Sequence, residues 1–263
     1  MKKGVVLGIG AGLVLAGSVM SHAANCNYTM DYFKKNLPFP TDKATIVKQT
    51  PIDNDICNII LKVKTPYGDT RYVSTFAVKG NQSVIIGAMF KNNKSLTQKT
   101  IMELMAKDYV GKFSKYYPSH KNDFKKATMA SYKPKKWNGQ TAFVFTDPLC
   151  PFCQQLNTGL KEIADATGYR IALIPLPVHG PQSADKIKSF ICNNKKFDDY
   201  VNGKYGEVKD CKNATSIMNT AWNIEKDLKV MGTPTIITTD GKAVFTPDKE
   251  VVKEVLNGKS ITK

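Results

Sequence analysis

The sequence predicts a mixed α/β protein of two modules, a small α+β module followed by one in which strands and helices alternate. Three observations carry this prediction. Between residues 56 and 90, strand-like runs are separated by the turn sequences Pro66-Tyr67-Gly68-Asp69 and Gly80-Asn81, as in antiparallel hairpins. The apolar run Ala142-Phe143-Val144-Phe145 leads within five residues into Cys150-Pro151-Phe152-Cys153 and a helical pattern. Far downstream, Gly232-Thr233-Pro234-Thr235 opens a hairpin and a last helix.

In chain order, Lys2 and Lys3, the uncharged apolar stretch 4–20 and the small-x-small triplet Ser21-His22-Ala23 read as an export signal over 1–23, cleaved after Ala23. An uncleaved anchor would be short and glycine-rich, and lipid attachment at Cys26 is disfavoured by the bulky Asn25. No other stretch is apolar enough to span a bilayer, so the expected setting is an oxidising compartment outside the cytoplasm. Residues 24–93 form the first module: Tyr28, Tyr32, Phe33 and Leu37 are spaced as a helix over 26–37, and strands are expected over 56–63, 70–78 and 83–90.

Residues 94–137 are expected to connect the modules. Ile101, Leu104, Met105 and Tyr109 fall on one helical face, with Ser95 as a cap, and the lysine-rich stretch 118–136 reads as the flexible end of the linker. Residues 138–263 form the second module. A buried strand over 141–145, a helix over 150–166 and a strand over 169–174 make a right-handed βαβ unit. Helices over 184–193 and 214–228, a hairpin of 235–239 and 242–245 around Asp240-Gly241, and a helix over 248–256 complete it.

Removing the two signal lysines leaves 36 basic against 22 acidic side chains, a net charge of +14. The lysines are scattered and accompany no nucleic-acid motif, so they read as a solvated surface and no nucleic-acid partner is expected.

The chemistry concentrates at Cys150 and Cys153. Two thiols two residues apart at a strand-to-helix turn can close or open a small ring and so store and release two electrons. With Cys150 as N-cap and Pro151 as first helical residue, Cys150 meets the free N–H groups and positive end of the helix, which favour a thiolate. Cys150 is the expected nucleophile, and Cys153, a turn further in, the buried thiol that resolves a mixed disulfide. A zinc site would need two more ligands. Only His120 and His179 remain after the signal, neither in a suitable motif, so no metal or other cofactor is expected. Thr233-Pro234, ahead of a strand, is compatible with a cis bond.

With Phe145-Thr146-Asp147-Pro148-Leu149-Cys150-Pro151-Phe152-Cys153 and Gly232-Thr233-Pro234 in place, the chain resembles the periplasmic thiol:disulfide interchange proteins of the DsbC/DsbG type. The resemblance implies a thioredoxin-like C-terminal domain with helices inserted before the cis-proline, and an N-terminal α+β dimerisation domain joined to it by a linker helix. It implies that Pro234 packs beside the active disulfide and that the backbone of Thr233 pairs with substrate. It also implies a homodimer, substrates that are exported proteins with non-native disulfides, and a membrane-bound thiol reductase that keeps the pair reduced. The active motif looks like DsbG and the extra pair Cys192 and Cys211 like DsbC, which leaves the subtype open.

Six cysteines allow 15 connectivities, and assigning Cys150 to Cys153 leaves three. The two-module reading selects Cys26–Cys57 and Cys192–Cys211, one in each module, as structural disulfides; the alternative for the latter is a second redox-active pair. The leading expectation is a disulfide isomerase or reductase. A thiol oxidase, a sulfenic-acid reductase and a holdase chaperone with dispensable thiols are the alternatives.

Overall fold

The computed structural model describes residues 26–259 apart from 39, 66, 67, 69, 81 and 93. The export signal and part of both expected hairpin turns lie outside the described residues. No helix among the described residues is long and apolar enough to cross a membrane.

Helix α1 (Met30–Asn36) begins four residues later than the spacing suggested. Cys26 is tied to Cys57, and the Tyr28 backbone pairs in both directions with the Gln49 side chain, each bond 3.0 Å, so these residues follow the sheet. Strand β1 (Ala44–Pro51) has no counterpart in the sequence reading. It is an edge strand with only Ala44 buried, so it lacks the apolar alternation that marks a strand, and Lys48 and Pro51 suit an unpaired edge.

Strands β2 (Ile56–Lys64) and β3 (Thr70–Val78) pair along their whole length, and β4 (Val84–Ile86) closes a sheet of order β1-β2-β3-β4. Phe33 and Leu37 pack on Cys57, Ile59, Leu61 and Ala77. The third expected strand is thus shorter than 83–90, and its last residue enters a small hairpin of β5 (Phe90–Lys91) and β6 (Lys94–Ser95).

Helix α2 (Gln98–Ala127) starts where Ser95 Oγ accepts from the Gln98 N–H at 3.0 Å. The flexible connection expected over 118–136 is absent: the helix passes through Pro118, leaves helical dihedrals only at His120, and is followed by a strand, β7 (Ala130–Tyr132). A proline inside a helix costs about 3 kcal/mol. Burial of Phe113 and Phe124 against Phe143, with ring centroids 6.3 and 4.6 Å away, offsets that cost, and the sequence periodicity did not reveal it.

The second sheet combines β7 with β8 (Thr141–Thr146), β9 (Arg170–Pro175), β10 (Thr235–Thr238) and β11 (Ala243–Val244), in the order β11-β10-β8-β9-β7. Only the β8–β9 pair is parallel. The helix expected over 150–166 is two: α3 (Pro151–Asn157) and α4 (Leu160–Thr167). At the break, a Cβ on Gly159 would come within 2.9 Å of Lys249, which starts α8 (Lys249–Leu256).

Helices α5 (Pro181–Cys192), α6 (Phe197–Val201) and α7 (Lys212–Leu228) lie between β9 and β10. The five-residue α6 is too short for a periodic signal. Strand β8 is buried on both faces: Ala142 and Val144 meet Leu156, Ile163, Ile187 and Val252, while Phe143 and Phe145 meet α2 and Ile224 and Leu228 of α7. That double burial explains the unbroken apolar run.

Candidate redox-active site

The site is assembled where β8 runs out. Asp147-Pro148-Leu149 turns the chain, the Cys150 N–H donates to the Asp147 carbonyl at 3.2 Å, and Cys150 becomes the extended N-cap of α3 with Pro151 as its first helical residue. The Cys150 carbonyl then accepts from the Gln154 N–H at 3.0 Å, and the Gln154 amide donates to the Pro148 carbonyl at 2.9 Å. At the same end of the sheet, just ahead of the neighbouring β10, the Thr233–Pro234 peptide bond is cis, and the Cys150 thiol donates to the Thr233 carbonyl with Sγ 3.3 Å from the oxygen. The structure therefore brings Cys150, Cys153, Thr233 and Pro234 to one place, with both cysteines as free thiols.

Cys150 keeps 4% of its surface and Cys153 none, so both residues are buried. Phe152 between them is 59% exposed. Beside the thiols lies a groove of about 340 Å³ whose walls include Phe152, Thr233, Pro234 and Phe245 and, from α2, Met105 and Tyr109.

Burial pushes the Cys153 thiol well above its ordinary pKa, only partly countered by the hydroxyls of Thr233 and Thr146 and the backbone at Asp147. Thr233 Oγ1 is buried without a partner of full hydrogen-bond geometry, yet close enough to Cys153 to favour its thiolate.

Beneath the thiols, Asp147 is fully buried and its carboxylate is saturated. It accepts from the Leu149 N–H at 2.7 Å, the Ser183 hydroxyl at 2.6 Å and the His179 N–H at 3.0 Å, and its Oδ2 lies 3.0 Å from His179 Nδ1. Burial opposes the charge, but the Ser183 hydroxyl, the Leu149 N–H and His179 outweigh it and hold the carboxyl below the usual carboxylate range. The sequence motif contains Asp147 but assigns it no role. Its Asx-type bond to the residue two ahead was a readable local signal, whereas Ser183 and His179 come from distant sequence.

Tyr200, fully buried, meets Thr146 Oγ1 at 3.2 Å, and the Tyr205 ring packs against it at 5.7 Å. Both tyrosines sit on the segment closed by the Cys192–Cys211 disulfide, whose Cα atoms are 5.8 Å apart; Cys26–Cys57 is the other disulfide among the described residues. Closing a loop of this length contributes about 3 kcal/mol. Replacing Cys192 and Cys211 together by alanine should lower unfolding stability by that amount in urea titration, with tertiary signals from the tyrosines lost first. Among the described residues no group of three or more His, Cys, Asp or Glu side chains converges as metal ligands would. His120 stacks on Tyr116 at 3.7 Å, far in sequence from the thiols.

Residues 126–255 match the thioredoxin-like domain family. No curated protein matches the chain by sequence. Among solved structures, it is similar to the catalytic domain of Proteus mirabilis ScsC, at 16% identity over 56% of this chain and 97% of that one, with a TM-score of 0.42. It is also similar to Helicobacter pylori DsbG, at 15% identity over 74% of this chain and 94% of that one, TM-score 0.36. The thiol-disulfide exchange protein alpha-DsbA2 from Wolbachia pipientis is a third, at 16% identity over 59% and 97% of the two chains, TM-score 0.42. From residue 126 to residue 255, then, the chain is a thioredoxin-like domain.

Proposed function

We propose that this protein is an exported thiol:disulfide interchange enzyme of the DsbC/DsbG type, acting in the periplasm as an isomerase or reductase of misoxidised exported proteins. The observation that carries the reading is the placement of Cys150 Sγ at a helix head, 3.3 Å from the Thr233 carbonyl and one turn from a second free thiol. Cys150, as thiolate, attacks one sulfur of a substrate disulfide; the Cys150–substrate bond forms, the substrate S–S bond breaks, and the second substrate sulfur leaves as a thiolate that takes up a proton. A substrate thiol that then attacks the mixed disulfide frees Cys150, which is isomerisation with no net electron transfer. Alternatively Cys153 attacks, leaving a reduced substrate and a Cys150–Cys153 disulfide. A membrane-bound thiol reductase then supplies two electrons.

Exposed apolar side chains near the site, Phe152, Val178 and Met231, suit contact with unfolded segments. The purified protein should restore activity to scrambled ribonuclease and reduce insulin; failure in both assays overturns the reading. Alkylation trapping in cells should find the pair reduced, and a disulfide would point to a thiol oxidase instead.

A homodimer is part of this proposal. β4 is an open sheet edge carrying Ile85, 57% exposed, and Ile86, with exposed Phe90 following. An unpaired, apolar edge suits pairing with a second copy. Aspartate at both Ile85 and Ile86 should weaken self-association at least tenfold by sedimentation equilibrium; an unchanged dimer would place the interface elsewhere.

A further inference from the structure

One turn of α2 grips both modules. Asp108 faces the first sheet: its Oδ2 lies 2.8 Å from Lys62 Nζ on β2 and accepts from the Tyr72 hydroxyl of β3 at 2.6 Å. Tyr109, the next residue, faces the thioredoxin-like domain. It is nearly fully buried, its hydroxyl donates to the Lys229 carbonyl and accepts from the Met231 N–H at 2.8 Å, and its ring lies 5.1 Å from Phe245.

The segment it holds is the one that delivers the cis-proline. Helix α7 ends at Lys229 with a left-handed φ of 56°, and Thr233 follows four residues later. Along that stretch, Tyr109 pairs the carbonyl at 229 and the N–H at 231, and the Val230 N–H returns to the Glu225 carbonyl at 3.1 Å. A half-buried backbone that loses such partners shifts to find others. Tyr109 also stands, with Gln98 and Met105 of the same helix, in the wall of the groove that Phe152 and Thr233 line as well.

We propose that Tyr109 is a positioning residue that holds the Thr233 carbonyl against Cys150 and shapes the substrate groove, and that Asp108 couples this hold to docking of the N-terminal sheet. This rests on the interchange function proposed above. The helix between the modules is thereby part of the site, and a protein substrate that disturbs the N-terminal sheet changes the groove.

The test uses the full-length protein and its Tyr109→Phe, Asp108→Asn and double variants. Tyr109→Phe should raise KM for insulin about tenfold and shift the pH profile of Cys150 alkylation, while the rate with oxidised glutathione, too small to fill the groove, should follow that shifted profile with no tenfold change in KM. Asp108→Asn should give a smaller change of the same kind, and the double variant should be no worse than Tyr109→Phe, because one residue acts through the other. A wild-type KM and pH profile in Tyr109→Phe, with only stability reduced, overturns the proposal, as does full additivity in the double variant. Should Tyr109→Phe fail to fold, Asp108→Asn decides alone: unchanged insulin kinetics reject the coupling. If the wild type itself exchanges no disulfide, the underlying function fails instead.

Discussion

Serine at position 150 should abolish insulin reduction, bringing it to the uncatalysed rate, while serine at 153 should leave the first attack intact and stall the enzyme as a mixed disulfide. The asymmetry follows from the site. Cys150 keeps 4% of its surface where Cys153 keeps none, and it sits at the helix head, its Sγ on the Thr233 carbonyl. Cys153 is sealed, and burial makes its thiolate costly until the mixed disulfide places a sulfur next to it. Non-reducing electrophoresis with a disulfide-bonded substrate should show a covalent adduct for Cys153→Ser and none for Cys150→Ser. Adducts of both variants in equal yield would mean that the two sulfurs share the role of nucleophile. If both variants retain full function in cells, the thiols are dispensable and a holdase role takes over.

Alanine at Asp147 should be the most destabilising single change near the site, costing about 3–5 kcal/mol, because it strips a buried carboxylate from its donors. The Leu149 N–H, the Ser183 hydroxyl and the His179 N–H all lose their partner, and Leu149 immediately precedes the nucleophile. The pH dependence has a definite sign. Ser183, Leu149 and His179 hold the folded carboxyl below its unfolded value despite burial. Its contribution is therefore complete above the unfolded pKa of about 4 and is lost as pH falls through the lower, folded value. Urea titrations from pH 7 to pH 2 should show the acid loss in the wild type, and a shallower one in Asp147→Asn. An Asp147→Ala variant within 1 kcal/mol of wild type would show that the loop is held by other contacts.

The parts of this protein legible in the sequence are those whose causes are local. A strand buried on both faces leaves a continuous apolar run, and a cysteine before Pro151 marks a helix start, so β8 and the head of α3 could be placed from neighbouring residues alone. The illegible parts depend on partners far along the chain. Pro118 reads as a breaker until Phe113 and Phe124 are seen packing on Phe143. β1 carries an edge strand's polar pattern, which resembles a loop. At the site, Asp147 finds Ser183 and His179 from beyond β9, and Tyr109 reaches the residues before Thr233 across 120 positions. No spacing within a single element announces such pairs.

The most direct test of the central claim is competitive alkylation of the reduced protein. Brief exposure to limiting iodoacetamide at pH 7, followed by peptide mass spectrometry, should find Cys150 modified at least about tenfold faster than Cys153, as expected of a helix-head thiol beside one set a turn deeper. Equal labelling, or faster labelling of Cys153, would contradict the assignment of Cys150 as the attacking sulfur.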